Sequence, residues 1–470
     1  MSSRRAAHRI SGEDCAVTRR CGTNSSSSST PASQRPADPA MTALDRPVVT
    51  GMVCAACDSV LPVSSNVLVC PHATPDDRHH VLHFVSEVAP FRPVDNDNPF
   101  VAYRRYLAVD AYGEAVGLPD DRRLAIINDL DTRVAAVCGT GFRKTPLTRS
   151  AGLSDRLGFT GHGGVWVKDE TNNVAGSHKA RHLFTEMVQL LMSEAAGTSR
   201  WNATSRPRLA IASCGNAAIA ASTIARAVEW PIDVFVPPSA SANVLEHLAA
   251  LGATVTVCPR READPAGDPC VFRFREAVAA GSVPFGVQGT ENAWCRDGGR
   301  TIGWEITDVM DHRADRVFVQ VGGGAFAACV GSSLKSAGVH PMLHAVQAAG
   351  CAPLERAWRR AIATGGVHNV GVRWSECMWP WEDEPRSLAD GILDDETYDW
   401  IGVLDAMADT GGSPVVASEE HIVEAHRLAR ELTDINVSPT GSAGLAGILA
   451  IRDHIADDER VVVVFSGVMR

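Results

Sequence analysis

The residue with the most reactive surroundings is Lys179. It stands in Val167-Lys168-Asp169-Glu170-Thr171-Asn172-Asn173-Val174-Ala175-Gly176-Ser177-His178-Lys179-Ala180-Arg181-His182. The segment leaves a short apolar run and enters an amphipathic one, which puts Lys179 just past a strand at the opening of a helix. There the positive helix end and the cationic neighbours disfavour its ammonium form and suit a Schiff-base amine. A surface lysine lying along a helix is the alternative. Composition weighs against it: of 44 basic residues only Lys144, Lys168, Lys179 and Lys335 are lysine.

Three more segments end an apolar run in small or polar residues. In Ala212-Ser213-Cys214-Gly215-Asn216-Ala217 a strand gives way to a helix, so backbone N–H groups and the Asn216 amide would face a ligand at the edge of a parallel sheet. Taken alone, Asn216 reads as a helix cap. In Val319-Gln320-Val321-Gly322-Gly323-Gly324-Ala325-Phe326 the backbone of Gly322, Gly323 and Gly324 can wrap an anion before a helix N-terminus, and phosphate is its natural guest. The run has neither the G-x-G-x-x-G spacing of a dinucleotide site nor the G-K-[ST] ending of a P-loop. In Phe465-Ser466-Gly467 a single hydroxyl at a strand end can orient a heterocyclic nitrogen or bond the backbone.

A separate cluster lies nearer the N-terminus: Cys54-Ala55-Ala56-Cys57, then Cys70-Pro71-His72, with His79, His80 and His83 behind. Zinc takes four thiolate or imidazole ligands in a tetrahedron, and Cys54, Cys57, Cys70 and His72 form a candidate set. A second full C-x2-C knuckle is missing, so a small metal-free lobe is the competing reading.

Elements that could position these residues follow from the apolar pattern. Strands are expected at 165–167, 209–212, 233–236, 254–257, 316–321, 343–347 and 461–465, and helices at 180–195, 217–228, 240–251 and 301–310. Strand then helix, repeated, means mostly parallel sheets covered on both faces, an α/β fold. Residues 1–45, with the run Ser25–Ser29 and little apolar periodicity, read as a disordered tail. Met41 is an alternative start. A Cys-containing lobe is expected over 46–95 and a catalytic region over 96–470, with a smaller subdomain at about 175–285.

The whole-chain numbers exclude other classes. A net charge of -11 without a basic stripe leaves no footprint for nucleic acid. No run approaches the roughly 18 apolar residues of a membrane helix. Thirteen cysteines in 470 residues are too dilute for a disulfide scaffold and fit a reducing cytoplasm, with Cys258 and Cys329 read as small buried hydrophobes.

Together the segments resemble fold type II pyridoxal phosphate enzymes, the tryptophan synthase β-like family, in the family's order over roughly residues 135–470. Lys168-Asp169-Glu170 and Gly176-Ser177-His178-Lys179-Ala180-Arg181 resemble its Schiff-base motif, Ser213-Cys214-Gly215-Asn216 its ring-cradling loop, and Gly322–Gly324 its phosphate loop. Leu388-Ala389-Asp390-Gly391, Pro439-Thr440-Gly441-Ser442-Ala443 and Phe465-Ser466-Gly467 are similar to further family segments. The resemblance implies two three-layer α/β subdomains with pyridoxal phosphate in the cleft between them. It implies Lys179 as Schiff-base and α-proton residue, Asn216 on the ring hydroxyl, Gly322, Gly323 and Gly324 on the phosphate with His178 assisting, and Ser466 facing the pyridine nitrogen. A neutral hydroxyl there favours elimination or replacement over transamination.

Within that family the chain is most similar to threonine synthases. Gly139-Thr140-Gly141-Phe142-Arg143-Lys144-Thr145-Pro146-Leu147 and Asp297-Gly298-Gly299-Arg300-Thr301-Ile302-Gly303-Trp304-Glu305-Ile306 carry the likeness, as does the cysteine-bearing lobe. Two features depart from them: Ser177-His178-Lys179-Ala180-Arg181 stands where Ser-Phe-Lys-Asp-Arg is usual, and the triple glycine is nearer to serine and threonine dehydratases. The resemblance thus implies a lyase acting on a small amino-acid substrate, in a homodimer. A serine or threonine ammonia-lyase is the alternative, and a binding protein that has lost turnover a third reading. Trp294, Cys295 and Arg296 read as a substrate loop or an ordinary surface loop.

Overall fold

The computed structural model describes residues 46–470 except Asp76 and Ala266, so the expected tail and the alternative start at Met41 lie outside the described residues. Strands in chain order are β1 Val49–Cys54, β2 Val60–Pro62, β3 Leu82–Ser86, β4 Leu147–Ser150, β5 Gly164–Asp169, β6 Leu209–Ala212 and β7 Ile232–Val236. They continue with β8 Thr254–Val257, β9 Val283–Pro284, β10 Arg316–Gln320, β11 Met342–Ala348, β12 Ser413–Ala417 and β13 Arg460–Phe465. Five helices position the site: α1 Lys179–Ala195, α2 Asn216–Ala227, α3 Arg300–Met310, α4 Ala325–Ser336 and α5 Pro439–Ala450.

The larger sheet has the order β12-β11-β10-β13-β5-β4, parallel throughout except for β4. Its centre shows why these residues form strands. Val461 to Phe465 are each 0% exposed. Side chains alternate between faces in a strand, and both faces here are covered: Val462 and Val464 pack with Ile302, Ile306 and Val330 of α3 and α4. Val461, Val463 and Phe465 pack with Ala443, Ala446 and Ile448 of α5. A strand buried on both faces reads as a continuous apolar run, and so it does in the sequence.

The smaller sheet, β8-β7-β6-β9, is wholly parallel. Its core extends beyond the expected 175–285. Tyr112, Ile127, Leu130 and Val134, from helices Ala108–Ala115 and Asp120–Cys138, share one apolar cluster with Leu183, Ile219 and Val234. The N-terminal lobe is the antiparallel sheet β2-β1-β3, and its Val49, Met52 and Cys54 belong to that same cluster. β4, β9 and β12 go beyond the sequence expectation. β4 is a four-residue edge strand and β9 only a pair, too short to show periodicity, and β12 carries Pro414, which sequence reading counts against a strand.

One close approach fixes α1 against α3. A Cβ on Gly298 would lie 1.8 Å from the Arg181 carbonyl oxygen, so the turn entering α3 can touch the first turn of α1 only with glycine there.

Candidate functional site

The C-terminal ends of β5, β6, β10 and β13 deliver the segments singled out in the sequence. Lys179 is the first residue of α1, Asn216 the first of α2, and Gly324 precedes α4 with φ +91°, a conformation that favours glycine. Lys179 is half-buried. Burial lowers its ammonium pKa, opposed by the Asp394 and Asp399 carboxylates and by Cys295 and Cys329.

His178 and Ser466 join two of these ends. The Ser466 hydroxyl accepts the His178 backbone N–H at 3.0 Å and lies 2.5 Å from the ring Nδ1. The Ser466 hydroxyl therefore serves both the backbone N–H and the ring of His178. Burial, then the neighbouring Lys179, holds the His178 pKa well below the usual range, so the ring is neutral. Its Nε2 is buried without a partner, as is the Ser177 hydroxyl next to it. The imidazole stacks on Phe326 with ring centroids 4.0 Å apart and planes 18° apart, which ties the Lys179 segment to the glycine loop. Ser466, expected to serve a heterocyclic nitrogen, is thus already engaged by His178.

The glycine loop faces carboxylates. A Cβ on Gly322 would meet Asp394 Oδ2 at 2.1 Å, and the Gly323 N–H bonds the Asp394 carboxylate. Burial pushes that carboxyl up to about 6, with the Lys179 ammonium pulling the other way. Asp399 donates its backbone N–H to the Gly323 carbonyl at 2.8 Å, accepts the Gly289 N–H at 2.9 Å and lies 3.5 Å from Arg296 Nε. Nothing in the acidic stretch Asp394-Asp395-Glu396 marks Asp394 in sequence, because such a run usually lies on a solvated surface.

Beneath Lys179 is a buried quartet of charges. Arg181 donates to Glu170 at 2.8 and 2.9 Å and to Glu305 at 2.5 Å, and Lys168 bonds Glu305 and, at 2.6 Å, the Thr145 carbonyl. All four side chains are at most 1% exposed. Two cations balance two carboxylates, and burial still lowers the Lys168 pKa. Lys168, Glu170, Arg181 and Glu305 thus position the end of β5 and the first turn of α1. Their sequence signal was charge inside otherwise buried segments.

At the mouth, Arg470 donates to the Asn216 side-chain oxygen and, at 2.6 Å, to the Ala175 carbonyl. Both of these acceptors are neutral oxygens. Trp294, Cys295 and Arg296 are buried, and Trp294 Nε1 donates to the Val67 carbonyl at 2.8 Å, so they form an inner wall and not a surface loop.

The cysteine cluster forms with one change. Ligand atoms of Cys54, Cys57, Cys70 and His80 all lie within 4.8 Å of one another. His72, chosen from sequence because it follows Cys70 closely, falls outside that group: its Nδ1 bonds Ser59 Oγ at 3.0 Å and lies 3.5 Å from Cys57 Sγ. The return of the chain into β3 brings His80 inward instead. All eleven cysteines among the described residues are free.

Comparison with known proteins agrees with this architecture. Threonine synthase of Methanocaldococcus jannaschii is 24% identical over 347 residues, covering 72% of this chain and 76% of its own. The processed form of threonine deaminase isoform 2 from Solanum lycopersicum superposes with a TM-score of 0.57 at 17% identity, covering 82% and 96%. Maize serine racemase does so at 0.55 and 18%, covering 73% and 92%. The family described as pyridoxal-phosphate dependent enzyme matches residues 139–467, from the turn before β4 to the glycine after Ser466, and the chain belongs to that family.

Proposed function

We propose that this chain is a lyase of the threonine synthase type, removing phosphate from a phosphorylated hydroxy amino acid. The residues fit pyridoxal phosphate: the Ser177 hydroxyl and His178 Nε2 are buried without partners, and the glycine loop already binds an anionic oxygen, that of Asp394. Gly322, Gly323, Gly324 and Ser177 would hold its phosphate, Asn216 its ring, and Lys179 its carbonyl carbon. Bound there, the cofactor supplies an electron sink for breaking a Cα–H bond.

The remaining work belongs to the chain's own side chains. Burial disfavours the Lys179 ammonium, so Nζ can take up a proton from the substrate α-carbon at neutral pH. Asp394 and Asp399 help Nζ hold that proton by favouring the charged form. The neutral His178 ring, held by Ser466 and Phe326, points Nε2 into the buried space at the head of α1.

The observation that carries the phosphorylated substrate is Arg470, a guanidinium beside Asn216 bonded only to neutral oxygens. Such a cation recognises phosphate. The second reading, a serine or threonine ammonia-lyase, draws on the glycine triplet and on the carboxylates over it, which repel a second anion. Purified protein tests both. Wild type is expected to show an absorbance band at the violet edge of the visible that Lys179→Ala lacks. With O-phospho-L-homoserine it should release inorganic phosphate and threonine. Ammonia and a 2-oxo acid from L-threonine or L-serine, without phosphate release, would select the second reading. A wild type that stays colourless with added pyridoxal phosphate overturns both.

A further inference from the structure

We infer that the N-terminal lobe binds one structural zinc ion through Cys54, Cys57, Cys70 and His80. The inference stands on geometry apart from the catalytic reading. Zinc–sulfur bonds of about 2.3 Å and zinc–nitrogen bonds of about 2.0 Å in a tetrahedron put sulfur atoms about 3.8 Å apart, and sulfur and nitrogen about 3.5 Å apart. Cys57 Sγ and Cys70 Sγ are 3.7 Å apart, and Cys54 Sγ and His80 Nδ1 are 3.4 Å apart. A disulfide requires about 2.05 Å, so the thiols are spaced for a shared ion and not for a bond.

The surroundings are those of a metal knuckle. Backbone N–H groups of Ala56 and Cys57 point at Cys54 Sγ, that of Ser59 at Cys57 Sγ and that of His72 at Cys70 Sγ. Such bonds stabilise thiolates. With Nδ1 turned to the sulfurs, His80 places Nε2 3.5 Å from the Asp77 carboxylate, the partner that orients a metal-bound imidazole. Cys54, Cys70 and His80 are buried and Cys57 half-buried, and no ligand position is left open to substrate. Four protein ligands in a closed tetrahedron of this softness select zinc in a structural role.

The ion would fasten a stretch with little regular structure of its own. Between β2 and β3 the described residues form no helix or strand, yet they support the inner wall of the site. Leu68 O accepts the Ala293 N–H at 2.7 Å, Val67 O accepts Trp294 Nε1–H, Arg78 pairs with Glu291 at 3.2 Å, and His79 stacks on Trp374 at 4.8 Å. Cys57 lies before this stretch, Cys70 within it and His80 near its end, so the metal sets its path toward residues 291–296.

Metal analysis of the full-length protein tests this directly. One zinc per chain is expected in wild type and in His72→Ala, and none in Cys70→Ser or His80→Ala. Cobalt added to chelator-stripped wild type should give the strong visible bands of a tetrahedral thiolate site, a readout independent of whether the variants fold. Stripping should also open Arg78 to trypsin. Wild type that neither retains zinc nor develops cobalt bands overturns the inference. So does zinc loss in His72→Ala with retention in His80→Ala.

Discussion

The Ser466 hydroxyl lies 2.5 Å from His178 Nδ1 and accepts the His178 backbone N–H at 3.0 Å, so the last strand of the large sheet and the residue before Lys179 are locked together. This bond spans 288 residues of sequence, and it fixes the orientation of the ring. Ser466→Ala strips the buried ring nitrogen and the N–H of their partner. Unsatisfied buried groups cost about 1–3 kcal/mol each. The variant should therefore unfold at lower urea with an unchanged m-value, and Ser466→Thr, which keeps the hydroxyl, should recover most of the loss.

The charge quartet gives a stronger test. Arg181→Met leaves Glu170 and Glu305 buried with one cation between them, and removal of one partner from a buried pair costs about 3–5 kcal/mol. The same reasoning makes Lys168→Met or Glu305→Met alone severe. The two together should cost less than the sum, which a double-mutant cycle in denaturant would read as a coupling well above 1 kcal/mol.

Asp394 sets a pH dependence. Its value of about 6 in the folded chain lies above the ordinary 3.8 because of burial. The folded state therefore holds that proton more tightly than the unfolded chain, and stability declines as pH rises between those values, then stays flat. Asp394→Asn should remove this decline, so its melting temperature relative to wild type improves from pH 4 to pH 7. Removing the negative charge from the glycine loop should also tighten inorganic phosphate binding at pH 7.5 by roughly tenfold, the effect of about 1.4 kcal/mol. Calorimetry finding equal affinities would contradict the placement of an anion in that loop.

Arg470→Gln separates the two readings of the substrate. A hydrogen bond to a charged group contributes about 1.5–3 kcal/mol, so the KM for O-phospho-L-homoserine should rise by roughly tenfold or more while the absorbance band persists. L-serine, lacking the phosphate, should show no such change.

The sequence made the sheets legible where burial was complete. Val461–Phe465 and Leu209–Ala212 are apolar throughout because both faces of their sheets are covered. Helix openings at Lys179 and Asn216 were legible because strand-ending small residues have few other uses. Contacts between distant segments left no periodic trace. Asp394 reaches the glycine loop from an acidic run, and His80 displaces His72 because the chain folds back into β3. The share of the small core taken by helices Ala108–Ala115 and Asp120–Cys138 was hidden for the same reason: pattern reveals that a face is buried, but not which neighbour buries it.

The scarcity of lysine has a consequence for how cofactor chemistry is confined. Lys168 is 0% exposed within its quartet, Lys144 pairs with Asp308 at 3.2 Å, and Lys335 pairs with Asp409 at 2.5 Å. Each of these has a carboxylate partner, leaving Lys179 as the lysine with no ion-pair partner among the described residues. A reactive aldehyde meeting this protein therefore finds few lysine amines, of which Lys168 is sealed away, Lys144 and Lys335 are engaged by carboxylates, and Lys179 alone is unpaired among the described residues. Borohydride reduction of the loaded enzyme followed by peptide mapping should accordingly return a single modified peptide, and adventitious carbonyl damage should be lower than in a lysine-rich protein of the same size.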